Sequence, residues 1–326
     1  MNQAEYEAFY RQARKITPQI LRQTMTRLAK IYSEAAKLAA AEVRGAELAG
    51  LSELTSSAWR SIEIQLQNSV AEINTALTEE LPATVLRGAE TTGEINETYL
   101  DEALEAAGAS AELRAGAKSM FRAINESIVR DMANRIYADG YTLSERIWRA
   151  ATKYEQDIKD VILSGIAQGR DPIKIAKDIQ VYVKDGKIAL ANRYGRLERG
   201  TVEFMKRIGN RVDYRALRLI RTELYTSVRE ATRQQGHNNP GATDEYDWIL
   251  EAGRQNWDCR CPELASASPY KYQEVPSNPH PSCSCDLRPR LRDYRDFERD
   301  LKTWLDGGNV DYLDSWAMKN WEYIIR

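Results

Sequence analysis

The sequence predicts a mainly α-helical protein in which long amphipathic helices precede a small, compact α+β part with a metal-pinned loop. Three observations carry that reading. Apolar residues recur at helical spacing from Leu21 to Val228. The best strand candidate, Tyr246-Asp247-Trp248-Ile249-Leu250-Glu251, comes after them. All four cysteines fall between positions 259 and 285.

Taken in order, Leu21, Met25, Leu28, Tyr32, Ala35 and Ala39 form one helical stripe, and Trp59, Ile62, Leu66, Val70, Ile73 and Leu77 form a second. Thr17-Pro18 reads as the start of the first helix, because proline in the first turn loses no hydrogen bond and threonine can cap. Pro82 reads as the stop of the second. A third helical stretch runs from Ala111 to Tyr137 and ends at Asp139-Gly140. Thr142-Leu143-Ser144-Glu145 has the spacing of a capping box. The stripe that follows, Ile147, Ala151, Tyr154, Ile158, Val161 and Gly165, runs to a glycine cap at Gly169. Asp171-Pro172 opens a further helix with Ile175 and Ile179 on one side, ending near Asp185-Gly186. Another helix turns Leu217, Ile220, Leu224 and Val228 toward a core. These boundaries divide the chain into a helical region over 1–140, a compact region with the Cys/His cluster over 141–290, and an aromatic tail over 291–326. Trp304, Tyr312, Trp316, Trp321 and Tyr323 in that tail need a packing partner, in the chain's own body or a neighbouring subunit.

At 326 residues the chain can hold more than one core. Its 46 Lys and Arg against 48 Asp and Glu exclude a uniformly basic nucleic-acid coat. No apolar run approaches the ~20 residues that span a bilayer. The first thirty residues mix Glu5, Arg11, Arg14, Lys15 and Arg22 with the apolar positions, so a soluble chain without a signal peptide or membrane partner is expected. Between 187 and 233, 12 Lys and Arg face 5 Asp and Glu. Arg211, Arg215, Arg218, Arg229 and Arg233 there suggest a basic helix face, either merely solvated or in contact with double-stranded DNA or an acidic partner.

Cys259-Arg260-Cys261 and Cys283-Ser284-Cys285 are separated by 21 residues, with His280 three positions before the second pair. Two ligand pairs closing a polar loop suit a structural zinc ion, because thiolates hold zinc tetrahedrally and can order a segment too polar to build a core. A disulfide or free thiols are the other readings. His280, between Pro279 and Pro281, either replaces one cysteine as ligand or hydrogen-bonds beside the cluster. Neither His237 nor His280 has a Glu two residues on, so the zinc-deaminase pattern is absent. Glu223, Asp258 and Glu263 form no recognisable nuclease constellation, and a catalytic role is not expected of them.

Several of these pieces occur in an order that resembles the phage head morphogenesis family of minor head proteins. They are Leu143-Ser144-Glu145-Arg146-Ile147-Trp148, Ile166-Ala167-Gln168-Gly169, Arg221-Thr222-Glu223 on a helix, a Trp-containing strand, Asp258-x-Arg260, and His280-Pro281-x-Cys283-x-Cys285. The resemblance covers about 140 to 290. The upstream pair is Cys-x-Cys where that family often has Cys-x-x-Cys, and Leu264-Ala265-Ser266 stands where Leu-Asp-Gly is usual. The resemblance implies a non-enzymatic, low-copy virion component, located in the head and in the host cytoplasm during assembly. Its implied partners are the portal protein or the major capsid protein, with roles in head assembly and in DNA packaging or delivery. Two alternatives are a DNA-binding virion protein using the 187–233 face and a metal-dependent nuclease or other effector.

Overall fold

The computed structural model describes residues 3–46, 54–194, 213–250, 259–277 and 279–324. Helices dominate, joined by one small antiparallel sheet near the C-terminus, as the sequence predicts. The elements are α1 (Gln3–Arg44), α2 (Ser56–Ala107), α3 (Ala111–Asn134), α4 (Leu143–Ala167), α5 (Pro172–Tyr194), α6 (Tyr214–Asn238), β1 (Ala242–Ile249), α7 (Cys261–Ala267), β2 (Tyr270–Lys271), β3 (Asp286–Leu291), α8 (Tyr294–Leu305), α9 (Asp311–Lys319) and α10 (Trp321–Ile324). None of the described helices is long and apolar enough to cross a membrane.

Two sequence-based boundaries are corrected. Pro18 lies inside α1 and Pro82 inside α2, so neither starts nor stops a helix. An internal proline removes one backbone hydrogen bond and costs on the order of 3 kcal/mol. Burial on both sides outweighs that cost, at about 1.5–3 kcal/mol for each large apolar side chain. In α1 the buried stripe runs through Tyr6, Tyr10, Ala13, Thr17, Ile20, Leu21, Thr24 and Leu28; in α2 it runs through Ile73, Leu77, Leu81, Val85 and Ala89.

Other local signals are found where the sequence puts them. Thr142 accepts from the Glu145 backbone N–H at 3.3 Å, and Glu145 Oε2 accepts from the Thr142 N–H at 2.7 Å, completing the capping box of α4. At the other end, Gly169 takes φ +66°. Its N–H donates to Ile166 O at 2.9 Å, and Arg170 N–H donates to Gly165 O at 3.0 Å, the paired bonds of a Schellman cap. Lys174 N–H donates to Asp171 Oδ1 at 2.9 Å and caps α5. The expected end near Gly186 is a kink, where φ 81° and ψ −173° interrupt α5 before helix resumes.

The chain forms two compact units, each discontinuous in sequence. The first comprises Met1–Arg22, Pro82–Arg135 and Arg221–Arg326; the second comprises Gln23–Leu81 and Ile136–Ile220. The core of the second is aliphatic, with Leu28, Ile62, Leu66, Ile73, Ile158, Val161 and Ile179 buried. Tyr32 meets Tyr154 edge-on at 6.1 Å. Gly165 lets Ile175 approach closely: a Cβ at that position would lie 2.5 Å from Ile175 Cγ1.

The core of the first unit is aromatic. Tyr6 packs edge-on against Tyr99 at 5.4 Å, and Tyr99 stacks on Phe297 at 6.1 Å. Leu301, Leu313 and Trp316 join the same buried cluster, so the C-terminal tail packs on the chain's own body. Trp316 Nε1–H donates to Asn238 O at 2.9 Å, and Trp304 Nε1–H donates to Asp314 Oδ1 at 3.0 Å. Trp321 is the exception in that tail, at 60% exposure. The sheet of this unit has the order β2-β1-β3, with β1 antiparallel to both neighbours. Pairing of Trp248 with Leu287 and Ile249 with Asp286 brings the end of β1 beside the start of β3, directly after Cys285.

Candidate metal centre

The cysteines gather at the edge of this sheet. Pro262 occupies the first turn of α7, and Leu264 N–H donates to Arg260 O at 3.0 Å, which turns Cys261 and Leu264 inward. With Trp248, Cys283, Cys285 and Leu287 they form a separate small buried cluster. Cys259 is half-buried at its margin.

Cys261 is the centre of the arrangement. Its Sγ lies 3.6 Å from Cys283 Sγ and 3.3 Å from His280 Nε2. Two triads share it: Cys259, Cys261 and His280, and Cys261, Cys283 and Cys285, with the donor atoms of each within 4.8 Å of one another. None of the four cysteines is in a disulfide. A disulfide needs sulfurs about 2.05 Å apart, so 3.6 Å corresponds to a different chemistry. Four ligands around a tetrahedral zinc ion, at ~2.3 Å for sulfur and ~2.0–2.1 Å for nitrogen, leave edges of about 3.8 Å between sulfurs and about 3.6 Å between sulfur and nitrogen. The observed spacings are close to those edges, and the five side chains could hold a metal ion.

His280 is oriented for such a role. Its Nδ1 lies 3.0 Å from Pro281 O. A carbonyl only accepts, so Nδ1 carries the proton and the Nε2 lone pair faces Cys261, the arrangement in which a backbone carbonyl orients a metal-ligating histidine. Burial together with the neighbouring thiol of Cys259 pushes Cys261 up to about 12. Contact with Cys285 and burial also raise Cys283, against the pull of the Arg229 guanidinium. A bound cation would reverse this balance, because metal-bound thiols are deprotonated.

One helix positions the second cysteine pair. Arg229, 5% exposed, donates through Nη1 to Cys283 O at 3.1 Å and to Cys285 O at 2.8 Å. Thr222 Oγ1 accepts from Ser282 N–H at 2.9 Å, and Arg221 Nη2 lies 3.4 Å from Ser284 Oγ. Arg221 and Arg229 are eight residues apart, two turns along one face of α6. Ser282 takes φ 62°, a left-handed conformation at the tip of the turn between His280 and Cys283.

The sequence-predicted basic face disperses. Arg229 is corrected from a solvent-facing residue to an interior one, because its guanidinium satisfies the two cysteine carbonyls. Arg233 is paired with Glu230 at 3.1 Å and sits 4.4 Å over the Tyr272 ring. Arg215 and Arg218 are exposed, and Arg211 lies outside the described residues. Of the carboxylates, Glu223 is buried, Glu263 is exposed and Asp258 lies outside the described residues. The positioning role of Arg229 carried no sequence signal beyond its helical spacing, whereas Thr222 belongs to the Arg221-Thr222-Glu223 segment of the resemblance. Compared with protein-family models, with curated proteins and with solved structures, the chain matches none.

Proposed function

We propose that this chain is a minor head protein of a tailed phage: a non-enzymatic virion component that docks on the portal or inner capsid during head assembly and takes part in packaging or delivering DNA. The observation that supports this reading is the joining of separate sequence elements at one site. Arg221 and Thr222 on α6 hold the His280-Pro281-x-Cys283-x-Cys285 loop, which meets the upstream Cys259-x-Cys261 pair. These are the segments whose order resembles the family. A metal in that site is structural in this proposal, and zinc fits the donors best, since soft thiolates and imidazole favour it. Its part is to fasten a polar loop to the sheet, leaving the helices to meet other subunits.

The test is co-expression of the chain with portal and major capsid proteins of a tailed phage from the same genome. The expected result is co-elution with assembled portal or capsid, and presence of the chain in purified virions. If it elutes alone and mass spectrometry finds none in virions, the reading is wrong.

A further inference from the structure

A second site lies in the first unit, separate from the cysteines. A cavity of about 290 Å³ is walled by Gly236, His237, Asp244, Arg292, Trp316 and Lys319, among others. That is near the lower end of small-molecule pockets. His237 is fixed in it on two sides. Its Nδ1 lies 2.7 Å from Asp244 Oδ1, and its ring stacks on Tyr272 at 3.9 Å with planes 14° apart. The carboxylate accepts, so Nδ1 carries the proton and Nε2 is left over. Among the described residues, Nε2 has no hydrogen-bond partner.

Asp244 reaches the imidazole from a strained backbone. Its φ is 63°, in the stretch where the pairing of β1 with β3 slips between Ala242 and Tyr246. Bulges re-aim side chains, and a non-glycine residue in the left-handed region is held there against its own preference by the surrounding structure. Here the strained residue is the one that orients the histidine. Arg292 is aligned by its Nε–H, which donates to Pro240 O at 3.1 Å, and by the Tyr312 ring 3.9 Å away. Neither Arg292 nor Lys319 makes an ion pair among the described residues. Carbonyls near the end of α6 would repel an anion, but Asn238 O is occupied by Trp316 Nε1–H and Pro240 O by Arg292.

We infer that this cavity binds a phosphate monoester, the terminal phosphate of a nucleotide or of a DNA strand, on Arg292, Lys319 and His237. The Arg292 fork and the Lys319 ammonium supply charge-assisted hydrogen bonds to different oxygens of a tetrahedral phosphate. Nε2 of His237, left as an acceptor by the Nδ1–H bond to Asp244, can take a hydrogen bond from the P–OH of a singly protonated monoester, a group that a phosphodiester lacks. A phosphodiester within a strand carries a single charge and two free oxygens, so it uses this set of donors less fully. The inference does not depend on the virion reading, because binding is measured on the chain alone.

The experiment is calorimetry on the full chain with inorganic phosphate, deoxyadenosine 5′-monophosphate, a 5′-phosphorylated oligonucleotide and the same oligonucleotide with a 5′-hydroxyl. One-to-one binding is expected for the monoesters, with the 5′-hydroxyl strand at least tenfold weaker. The tightest-binding phosphate form identifies the source. Lys319→Met should weaken binding about tenfold without moving the melting temperature, since no ion pair is lost, and His237→Asn should weaken it as well. Absence of saturable binding by every probe overturns the proposal. So does equal affinity of the two oligonucleotides, or wild-type affinity in Lys319→Met.

Discussion

The first unit contains two cores built on opposite principles. Around Tyr6, Tyr99, Phe297 and Trp316, large rings bury one another and hold the C-terminal helices in place. Around Trp248, the buried set is Cys261, Leu264, Cys283, Cys285 and Leu287, in which half the members are cysteines. An aromatic core stabilises mainly through buried apolar area, with ring pairing and a few hydrogen bonds added. The cysteine core is small for a loop rich in serine and proline, and on the proposal of a bound metal its sulfurs make up for the missing area as ligands. The comparison teaches that ligand donors can replace side-chain volume where the chain is polar.

On the proposal that the cysteine site holds zinc, the largest expected effect comes from removing it. Structural zinc contributes apparent binding free energies of about 10–16 kcal/mol to small domains. Chelation, or Cys283→Ser, should therefore abolish amide-exchange protection over 259–291 while α4 keeps its own. Unchanged protection after chelation would make the cysteine cluster an ordinary apolar core and erase the contrast. Phe297→Ala acts on the other side of the comparison. It should cost about 3–5 kcal/mol in denaturant unfolding, the usual range for a large-to-small core change, and leave metal content as it was. A loss below about 1 kcal/mol would show that the aromatic core collapses onto the gap. The smallest effect is assigned to Thr222→Val, which removes the acceptor of the Ser282 N–H. A fully buried donor left unsatisfied costs about 1–3 kcal/mol, and this part-buried one costs less. The variant should release metal to a competing chelator roughly tenfold more readily, whereas Phe297→Ala should match the wild type in that assay.

Much of the fold was legible because its signals are local. The capping box at Thr142 and Glu145, the glycine cap at Gly169 and the strand around Trp248 each depend on a few neighbouring residues. Pro18 and Pro82 misled for the converse reason: burial contributed by distant segments keeps α1 and α2 helical through them. The two discontinuous units were equally hidden, since no composition shift marks Arg22, Pro82 or Arg221. At the site, the cysteines and His280 announced themselves by type and spacing. Arg229 did not, because in sequence a buried arginine looks like its solvated neighbours Arg215 and Arg218.

The interior position of Arg229 also sets a condition of electroneutrality. A dication held by four thiolates carries two surplus negative charges, and one held by three thiolates and a neutral imidazole carries one. Uncompensated charge is expensive where water is excluded. Asp286, buried beside the cluster, has Arg14 3.7 Å away as its own countercharge. The buried Arg229, which also attracts Asp286, would offset part of that charge, one guanidinium cancelling the excess of a three-thiolate set and half the excess of four. With Arg221 also set against Ser284, one face of α6 would supply the positive charge that either ligand set requires.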